Sequence, residues 1–230
     1  MVEFVTLPSG HNVPMHPSAK APSSGMQLAR LLMEDGQGQA GDGTVTDLGA
    51  GYYGVLGNAF GSLGWKCVLV EPNPAAVAHL DQHFPFEAMI ANCTVREFMP
   101  ESPMDGIVSN PAQMPRFTAP AAEWDHDVSG EVGRDMLLDV LRFAADYLTP
   151  RGRCRVLVFD FHRKWCLELA ERLNLGLQSE FVMKKSCSPG GVILANLGAL
   201  AQIFPETDWD QVAAIRRVEA SFLVFGRNQE

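Results

Sequence analysis

The segment with the clearest chemical potential is glycine-rich and reads GAGYYG over residues 49–54. It follows a short apolar stretch, TVTDL, and opens a segment with helical spacing. Glycines at a strand-to-helix turn let the backbone approach a ligand closely, and an acidic residue about 20 positions later, here Glu71, is placed to bind ribose hydroxyls. The pattern predicts a nucleotide-type cofactor site, although a glycine turn needed only for tight packing would have the same sequence.

The charge of Asp47, two residues before Gly49, bears on the class of cofactor. A carboxylate at this position would repel the pyrophosphate of NAD, but it suits a cofactor that carries an ammonium and a sulfonium. We therefore expect a cationic cofactor. An NAD-linked oxidoreductase that uses GAGYYG remains an alternative.

The stretch DLGAG at residues 47–51 resembles the D-L-G-x-G signature of the class I methyltransferases. The resemblance implies S-adenosylmethionine as cofactor and S-adenosylhomocysteine as product. It also implies that Asp47 contacts the amino group of the cofactor, that Gly49 and Gly51 allow close approach, and that Glu71 binds both ribose hydroxyls. Asn92 stands where the family has an Asp that contacts the adenine amino group, and its side-chain oxygen can accept the same bond. The predicted cofactor site also includes Ala50, Tyr53, Pro72, Cys93 and Asn110.

A second segment, MDGIVSNPAQMP, resembles the NPPY segment of the amino-methylating branch, which includes the HemK-like glutamine methyltransferases. In that branch the Asn side-chain oxygen and the next carbonyl accept the two hydrogens of the acceptor nitrogen. The resemblance gives these roles to Asn110 and Pro111, and proline favours an extended Asn110 that presents its side chain at the strand end. Such positioning removes on the order of 7–11 kcal/mol of barrier in favourable cases. A plain strand cap and turn is the alternative reading.

The second segment departs from the family at two positions, with Ala112 for the second proline and Gln113 for the aromatic residue. An aromatic side chain there stacks on a flat acceptor, whereas Gln113 offers only hydrogen bonds. The substitution favours a small-molecule acceptor, leaves a protein side-chain amide open, and disfavours a nucleobase. The stretch VSGEVGRD at residues 128–135 also resembles the HemK-like pattern, where a glycine-rich loop borders the acceptor pocket, and Trp124 lies between the two segments.

Predicted strands and helices alternate around these segments. The strands fall at 44–48, 66–71, 87–92, 104–110, 153–160, 177–185 and 221–227, and the helices at 26–35, 54–64, 74–84, 133–148, 162–174 and 194–204. With the resemblance, this order predicts an α/β Rossmann-like sheet of seven strands, the last one antiparallel, with helices on both faces. We expect one domain over 1–230, with an arm and helix at 1–38, a cofactor-binding and catalytic core at 43–160, and the rest of the sheet at 161–230.

The arm before the first predicted strand is rich in proline and serine, and we expect it to be mobile or lid-like. Ser23 or Ser24 is expected to cap the helix that follows. His16 could serve as a general base, because its ordinary pKa lies near neutrality, and an exposed or capping histidine is the alternative.

Composition limits the partners. A net charge of −9 over 230 residues disfavours a dedicated nucleic-acid binder, and the five cysteines form no CxxC pair, which predicts a reducing, cytoplasmic location and no zinc site. No apolar run is long enough to span a membrane, and the first residues predict no secretory signal. The histidines lack metal-site spacing, and Asp125-His126-Asp127 is read as a solvated loop. We expect a monomer or homodimer.

Four functions remain compatible with the sequence. The first is an N-methyltransferase acting on a small molecule or a protein side chain. The others are an RNA or DNA amino-methyltransferase, an NAD-linked oxidoreductase, and a cofactor-binding subunit without catalysis.

Overall fold

A computed structural model describes residues 3–19, 22–34, 42–116, 128–187 and 191–228. Trp124 and residues 125–127 lie outside these ranges. The strands are β1 (Phe4–Thr6), β2 (Asn12–Pro14), β3 (Thr44–Leu48), β4 (Lys66–Val70), β5 (Ala88–Ala91), β6 (Met104–Ser109), β7 (Leu148–Phe159), β8 (Leu175–Ser186) and β9 (Arg217–Arg227). The helices are α1 (Ser23–Glu34), α2 (Val55–Gly61), α3 (Pro74–His83), α4 (Asp135–Tyr147), α5 (Asp160–Arg172), α6 (Val192–Ala195), α7 (Leu197–Ile203) and α8 (Trp209–Ile215).

Seven strands form one sheet in the order β5-β4-β3-β6-β7-β9-β8. Every pair from β5 to β7 is parallel, whereas β9 runs antiparallel to both of its neighbours, β7 and β8. The predicted seven-stranded sheet with an antiparallel last strand is thus confirmed. A dinucleotide-binding fold would instead have six parallel strands in the order 3-2-1-4-5-6.

Apolar side chains cover the sheet on both faces, because successive strand residues point to opposite sides. On β7, Leu157 and Phe159 join the core against α1, α2 and α3, while Val156 and Val158 join the core against α4 and α5. Leu28 of α1 and Leu141 of α4 are each fully buried on their own face. Both faces are therefore closed to solvent, and a ligand site is confined to the ends of the strands.

Several boundaries differ from those predicted. Strand β7 begins at Leu148 and not at residue 153 as predicted. Leu148 pairs with Met104 of β6 although Pro150 and Gly152 follow it. The helix predicted at 194–204 is divided at Asn196, and α8 was not predicted. The prediction that Ser23 or Ser24 caps α1 was wrong. The helix already begins at Ser23, and the amide of Met26 donates to the carbonyl of Pro22, so Pro22 stands at the cap position.

The order of the strands reverses at one point of the sheet. From β3 the chain builds β4 and β5 on one side and then crosses to β6 on the other. In sheets of this type ligands bind beyond the carboxyl ends of the strands, at the point where the order reverses. The residues that follow β3 and β6 therefore lie where a ligand site is expected.

Candidate functional site

The glycine loop joins β3 to α2 in a backbone conformation that requires glycine. Gly49, Gly51 and Gly54 have φ angles of 78°, 62° and 51°, in the left-handed region that other residues rarely adopt. A Cβ on Gly49 would lie 2.3 Å from the terminal methyl of Met136, whereas one on Gly51 would meet nothing within 4 Å. The backbone at Gly51 thus faces open space into which a ligand can approach.

Asp47 lies beneath this loop and is almost fully buried, with 1% of its surface exposed. Its Oδ2 accepts a bond from the amide of Gly57 at 2.9 Å, which caps the first turn of α2 from the neighbouring strand. Burial is the main reason that the pKa of the Asp47 carboxyl is raised to about 7, and the charge of Glu71 contributes in the same direction. Among the described residues, Oδ1 has no hydrogen-bond partner although it is buried. An unpaired buried acceptor of this kind is satisfied only by a donor from outside the described chain.

Glu71 and Asn92 extend the site along the ends of β4 and β5. The Glu71 carboxylate accepts from the amide of Gly51 at 2.8 Å and from the amide of Asn73 at 2.9 Å, and burial raises its pKa. Asn92 donates through Nδ2 to the carbonyls of Glu71 and Pro72, at 3.0 and 3.1 Å. Its side-chain oxygen therefore points away from those carbonyls and is available as an acceptor.

Asn110 follows β6, the strand that pairs with β3. Asp47 is opposite Val108 in that pairing, so Asn110 stands next to Gly49 across the two strand ends. Its side chain is half-buried and makes no hydrogen bond within the part of the chain that is described. The predicted cofactor loop and the predicted acceptor-binding Asn are thus brought together.

Gln113 has a different environment from the one predicted for an acceptor contact. It is 2% exposed; its Nε2 donates to the carbonyls of Pro111 at 3.3 Å and Leu157 at 2.9 Å, and its Oε1 accepts from the amide of Phe159 at 2.9 Å. Both amide hydrogens are used. The side chain fastens the loop after β6 to the end of β7 and has no donor left for an acceptor.

His162, which sequence reasoning did not single out, holds the same loop from α5. Its Nε2 is 2.9 Å from the carbonyl oxygen of Gln113, and burial lowers its pKa to about 4. The side chain of Arg134 donates to Nδ1 at 3.4 Å and lies 5.0 Å from the ring centre of Trp165. A buried histidine in the first turn of a helix has no sequence signal that separates this role from packing.

The stretch at 128–135 packs directly on the loop that follows β6. The amides of Ser129 and Arg116 donate to the carbonyls of Met114 and Gly130, each at 2.9 Å. A Cβ on Gly133 would lie 2.2 Å from the carbonyl oxygen of Gln113. Ser129 also caps α4 by accepting from the amide of Met136 at 2.7 Å. The two segments named from the sequence therefore form one structural unit.

The arm lies against the glycine loop as a short hairpin of β1 and β2. The amide of His16 donates to the Tyr53 hydroxyl at 3.1 Å, and the His16 ring stacks on Tyr52 at 4.4 Å between centres. The Nδ1 of His16 accepts from the amide of Ser18 at 3.2 Å. This nitrogen acts as a local cap, so a role for His16 as a base would have to use Nε2.

The remaining predicted cofactor residues occupy the same edge with differing exposure. Ala50 and Cys93 are half-buried, Pro72 is exposed, and Tyr53 is buried against the arm. Within the described ranges, no group of three His, Cys, Asp or Glu side chains could hold a metal ion. No helix there combines the length and the apolar character needed to cross a membrane.

The strand order with its antiparallel β9, and the glycine loop at the reversal point, define the class I methyltransferase fold that the DLGAG resemblance predicted. No protein-family model and no curated protein matches the sequence. Solved structures of methyltransferases do match, and with sequence identities of 13–18% for three of them the likeness is one of fold.

Those three structures differ in what they act on. The Burkholderia thailandensis 1,6-didemethyltoxoflavin-N1-methyltransferase, with bound 1,6-didemethyltoxoflavin and S-adenosylhomocysteine, aligns at 15% identity and TM-score 0.55, covering 90% of this chain and 80% of that one. The T. thermophilus 16S rRNA N2 G1207 methyltransferase aligns at 18% and 0.58, over 100% of this chain and 50% of that one. The cyclopropane synthase MmaA2 of Mycobacterium tuberculosis aligns at 13% and 0.56, over 96% and 91%.

Proposed function

We propose that this protein is an S-adenosylmethionine-dependent methyltransferase that methylates a nitrogen atom of a small-molecule acceptor. The observation that carries the proposal is the pairing of β3 with β6, which puts the glycine loop next to the Asn110 side chain, a side chain without a hydrogen bond to any described residue. Methyl transfer needs the donor and the acceptor nitrogen in line and in contact, and this is where two such ligands would meet.

The residues present fit the cofactor on three counts. The Oδ1 of Asp47, which has no partner among the described residues, is suited to an ammonium donor, which would also lower the pKa of that carboxyl. Each Glu71 oxygen accepts one backbone amide and retains a lone pair for a ribose hydroxyl. The side-chain oxygen of Asn92 is available to accept from an adenine amino group. When bound, S-adenosylmethionine supplies an electrophilic methyl group on a sulfonium.

Asn110 and the carbonyl of Pro111 are the acceptor-binding groups in this proposal. The Asn110 oxygen accepts one N–H of the acceptor, and the Pro111 carbonyl accepts the other while it keeps its long bond to Gln113. Gln113 is a positioning residue: its three hydrogen bonds fix the carbonyl of Pro111 relative to β7. This replaces the direct acceptor contact that the sequence suggested for Gln113.

A small acceptor is favoured by two properties of the chain. The net charge of −9 opposes binding to a polyanion, and position 113 lacks an aromatic side chain for stacking on a nucleobase. The structural likeness to the 1,6-didemethyltoxoflavin-N1-methyltransferase gives a precedent for a small acceptor on this fold. A protein side-chain amide remains compatible with the same pair of acceptor groups.

The test is transfer of isotope-labelled methyl from S-adenosylmethionine into a cell extract that is then separated into small-molecule, protein and RNA fractions. We expect label in the small-molecule fraction. Asn110→Ala should lose most transfer and keep cofactor affinity in a calorimetric titration, while Asn12→Ala, a change in the exposed hairpin, should alter neither. Equal loss of cofactor binding in Asn110→Ala would refute the role of Asn110 as an acceptor contact.

The second candidate is an RNA amino-methyltransferase, favoured by the likeness to the rRNA N2 G1207 enzyme over the whole chain. Label in the RNA fraction, with a steep dependence of RNA binding on salt, would establish it in place of the first. Tight binding of NAD in a calorimetric titration would support an NAD-linked oxidoreductase, although the strand order differs from that of a dinucleotide-binding fold. No transfer into any fraction, with S-adenosylmethionine still bound, would indicate a subunit without catalysis.

A further inference from the structure

A cavity of about 350 Å³ lies at the end of the sheet opposite to the end that carries the glycine loop. It is formed by the start of β7, the start of β8 and the end of β9, which come together because β9 runs antiparallel. The lining residues are Pro150, Arg151, Arg153, Gln178, Arg227 and Asn228. Three of the six carry a permanent positive charge, and no residue of the proposed methyl-transfer site is among them.

Two of the three arginines are held in place by backbone carbonyls. Arg153 donates from Nη1 to the carbonyls of Arg151 at 3.1 Å and Gly152 at 2.9 Å. Arg227 donates from Nη2 to the carbonyls of Ala145 at 2.6 Å and Asp146 at 3.0 Å, at the last turn of α4. Both arginines are half-buried. Their orientation is therefore set before any ligand arrives, which reduces the entropy lost on binding.

The positive charge of this cavity is not neutralised within the described chain. None of the three guanidinium groups lies within 4 Å of a described carboxylate. The ion pairs among the described residues are formed by other basic side chains, those of Arg96, Arg163 and Lys184. The Nε of Arg227 is buried and has no described hydrogen-bond partner. An unpaired buried donor is unfavourable, so an anion that brings acceptor oxygens to the Arg227 guanidinium would be favoured.

We propose that this cavity binds the phosphate groups of a compact polyanion, such as the pyrophosphate of a small metabolite. Guanidinium groups match phosphate oxygens through paired N–H donors, and converging arginines in a concave surface strengthen the local field. The volume falls within the range of small-ligand pockets, about 300–1,000 Å³. A nucleic-acid strand would instead need basic residues along an extended line, and the net charge of −9 opposes it.

The test is calorimetric titration of the full chain with sodium pyrophosphate at constant ionic strength. We expect saturable binding that weakens at least tenfold in the double variant Arg151→Gln and Arg153→Gln. The single variant Arg151→Gln should weaken it at least threefold; because Arg151 is exposed, this variant should keep the wild-type melting temperature. Arg217→Gln is the matched control, since Arg217 is exposed at the other end of β9.

Three results would overturn the proposal. The first is no heat of binding at millimolar pyrophosphate. The second is an equal loss of affinity in Arg217→Gln, which would indicate a general charge effect. The third is displacement of pyrophosphate by a short single-stranded RNA that binds more tightly, which would assign the cavity to a nucleic-acid backbone. None of these readouts depends on methyl transfer, so the proposal is tested separately from the proposed function.

Discussion

The Nε2 of His162 lies 2.9 Å from the carbonyl oxygen of Gln113, and this contact fixes the protonation of the ring. A carbonyl oxygen only accepts, so the proton is on Nε2, and Nδ1 accepts from the side chain of Arg134. The imidazole is therefore neutral in the folded protein. It connects helix α5 to the loop that carries Asn110.

This contact predicts loss of stability at acidic pH. Burial lowers the pKa of His162 to about 4, while the unfolded imidazole takes up its proton near pH 6.5. Its contribution is full above about 6.5 and is lost as the pH falls toward 4. Thermal melting between those pH values should therefore depend less on pH in His162→Gln than in the wild type. The exposed His11 provides the control, and a His11→Gln variant with the same flattening would contradict this assignment.

Asp47 predicts the opposite dependence in nearly the same range. Its pKa of about 7 exceeds the usual 3.8, so the folded state holds a proton that the unfolded state releases, and stability falls as the pH rises from about 4 to about 7. Asp47→Asn should raise the melting temperature at pH 8 and change it little at pH 4. The same variant should weaken S-adenosylmethionine binding at least tenfold, about 1.4 kcal/mol. Asp81→Asn, at an exposed position, is the control. If Asp47→Asn shifted the melting temperature equally at pH 4 and pH 8, the titration of Asp47 would be refuted.

Gly51 predicts a separation of stability from ligand binding. A methyl group there meets no atom within 4 Å, so Gly51→Ala should cost only the strain of its positive φ, about 1–2 kcal/mol. Because that methyl group would occupy the open side of the loop, cofactor affinity should fall by a larger factor than stability does. Gly198 in helix α7 is the comparison, because a methyl group added there also has no atom within 4 Å. Gly198→Ala should stabilise the protein by about 0.5–1 kcal/mol, since alanine has the higher helix propensity. Unchanged cofactor affinity in Gly51→Ala would place the cofactor elsewhere.

Two ion pairs, one that joins α5 to β8 and one that joins β8 to β9, predict unequal effects for the same substitution. Glu180 accepts two bonds from Arg163 at 2.6 Å and one from Ser221, and these hold its pKa at about 2. Glu180→Gln should lower stability at pH 7 by about 1–2 kcal/mol, with allowance for partial exposure. This contribution is lost as the pH falls from about 4.5 toward 2.

The matched change Glu219→Gln breaks an exposed pair with Lys184 at 3.9 Å and should cost little, about 0–1 kcal/mol. Chemical denaturation of the three proteins at pH 7 would compare them. Equal destabilisation by the two substitutions would show that the bidentate geometry of Glu180 adds nothing.

The parallel core of the fold could be predicted because its signals are local. Buried strands such as KCVLV and the proline that opens α3 are each visible within a few residues. The tight turn after β3 was also predictable, since glycines at 49, 51 and 54 permit the positive φ angles that the loop adopts and that few other residues allow. The contacts of Gln113 were not, because its partners Leu157 and Phe159 lie more than 40 residues away. A sequence gives the polarity of a side chain but not which of its distant neighbours will satisfy it.

The position of β9 bears on how the chain reaches its native state. This strand is made after β8 but lies between β7 and β8, and β8 has no other described partner in the sheet. During synthesis the first five strands of the sheet can pair as they emerge, whereas β8 must wait, with its edge unpaired, until residues 217–227 are available. The arginine cavity, which needs all three of these strands, forms only at that last step. Chains halted before residue 217 should accordingly be prone to associate through β8.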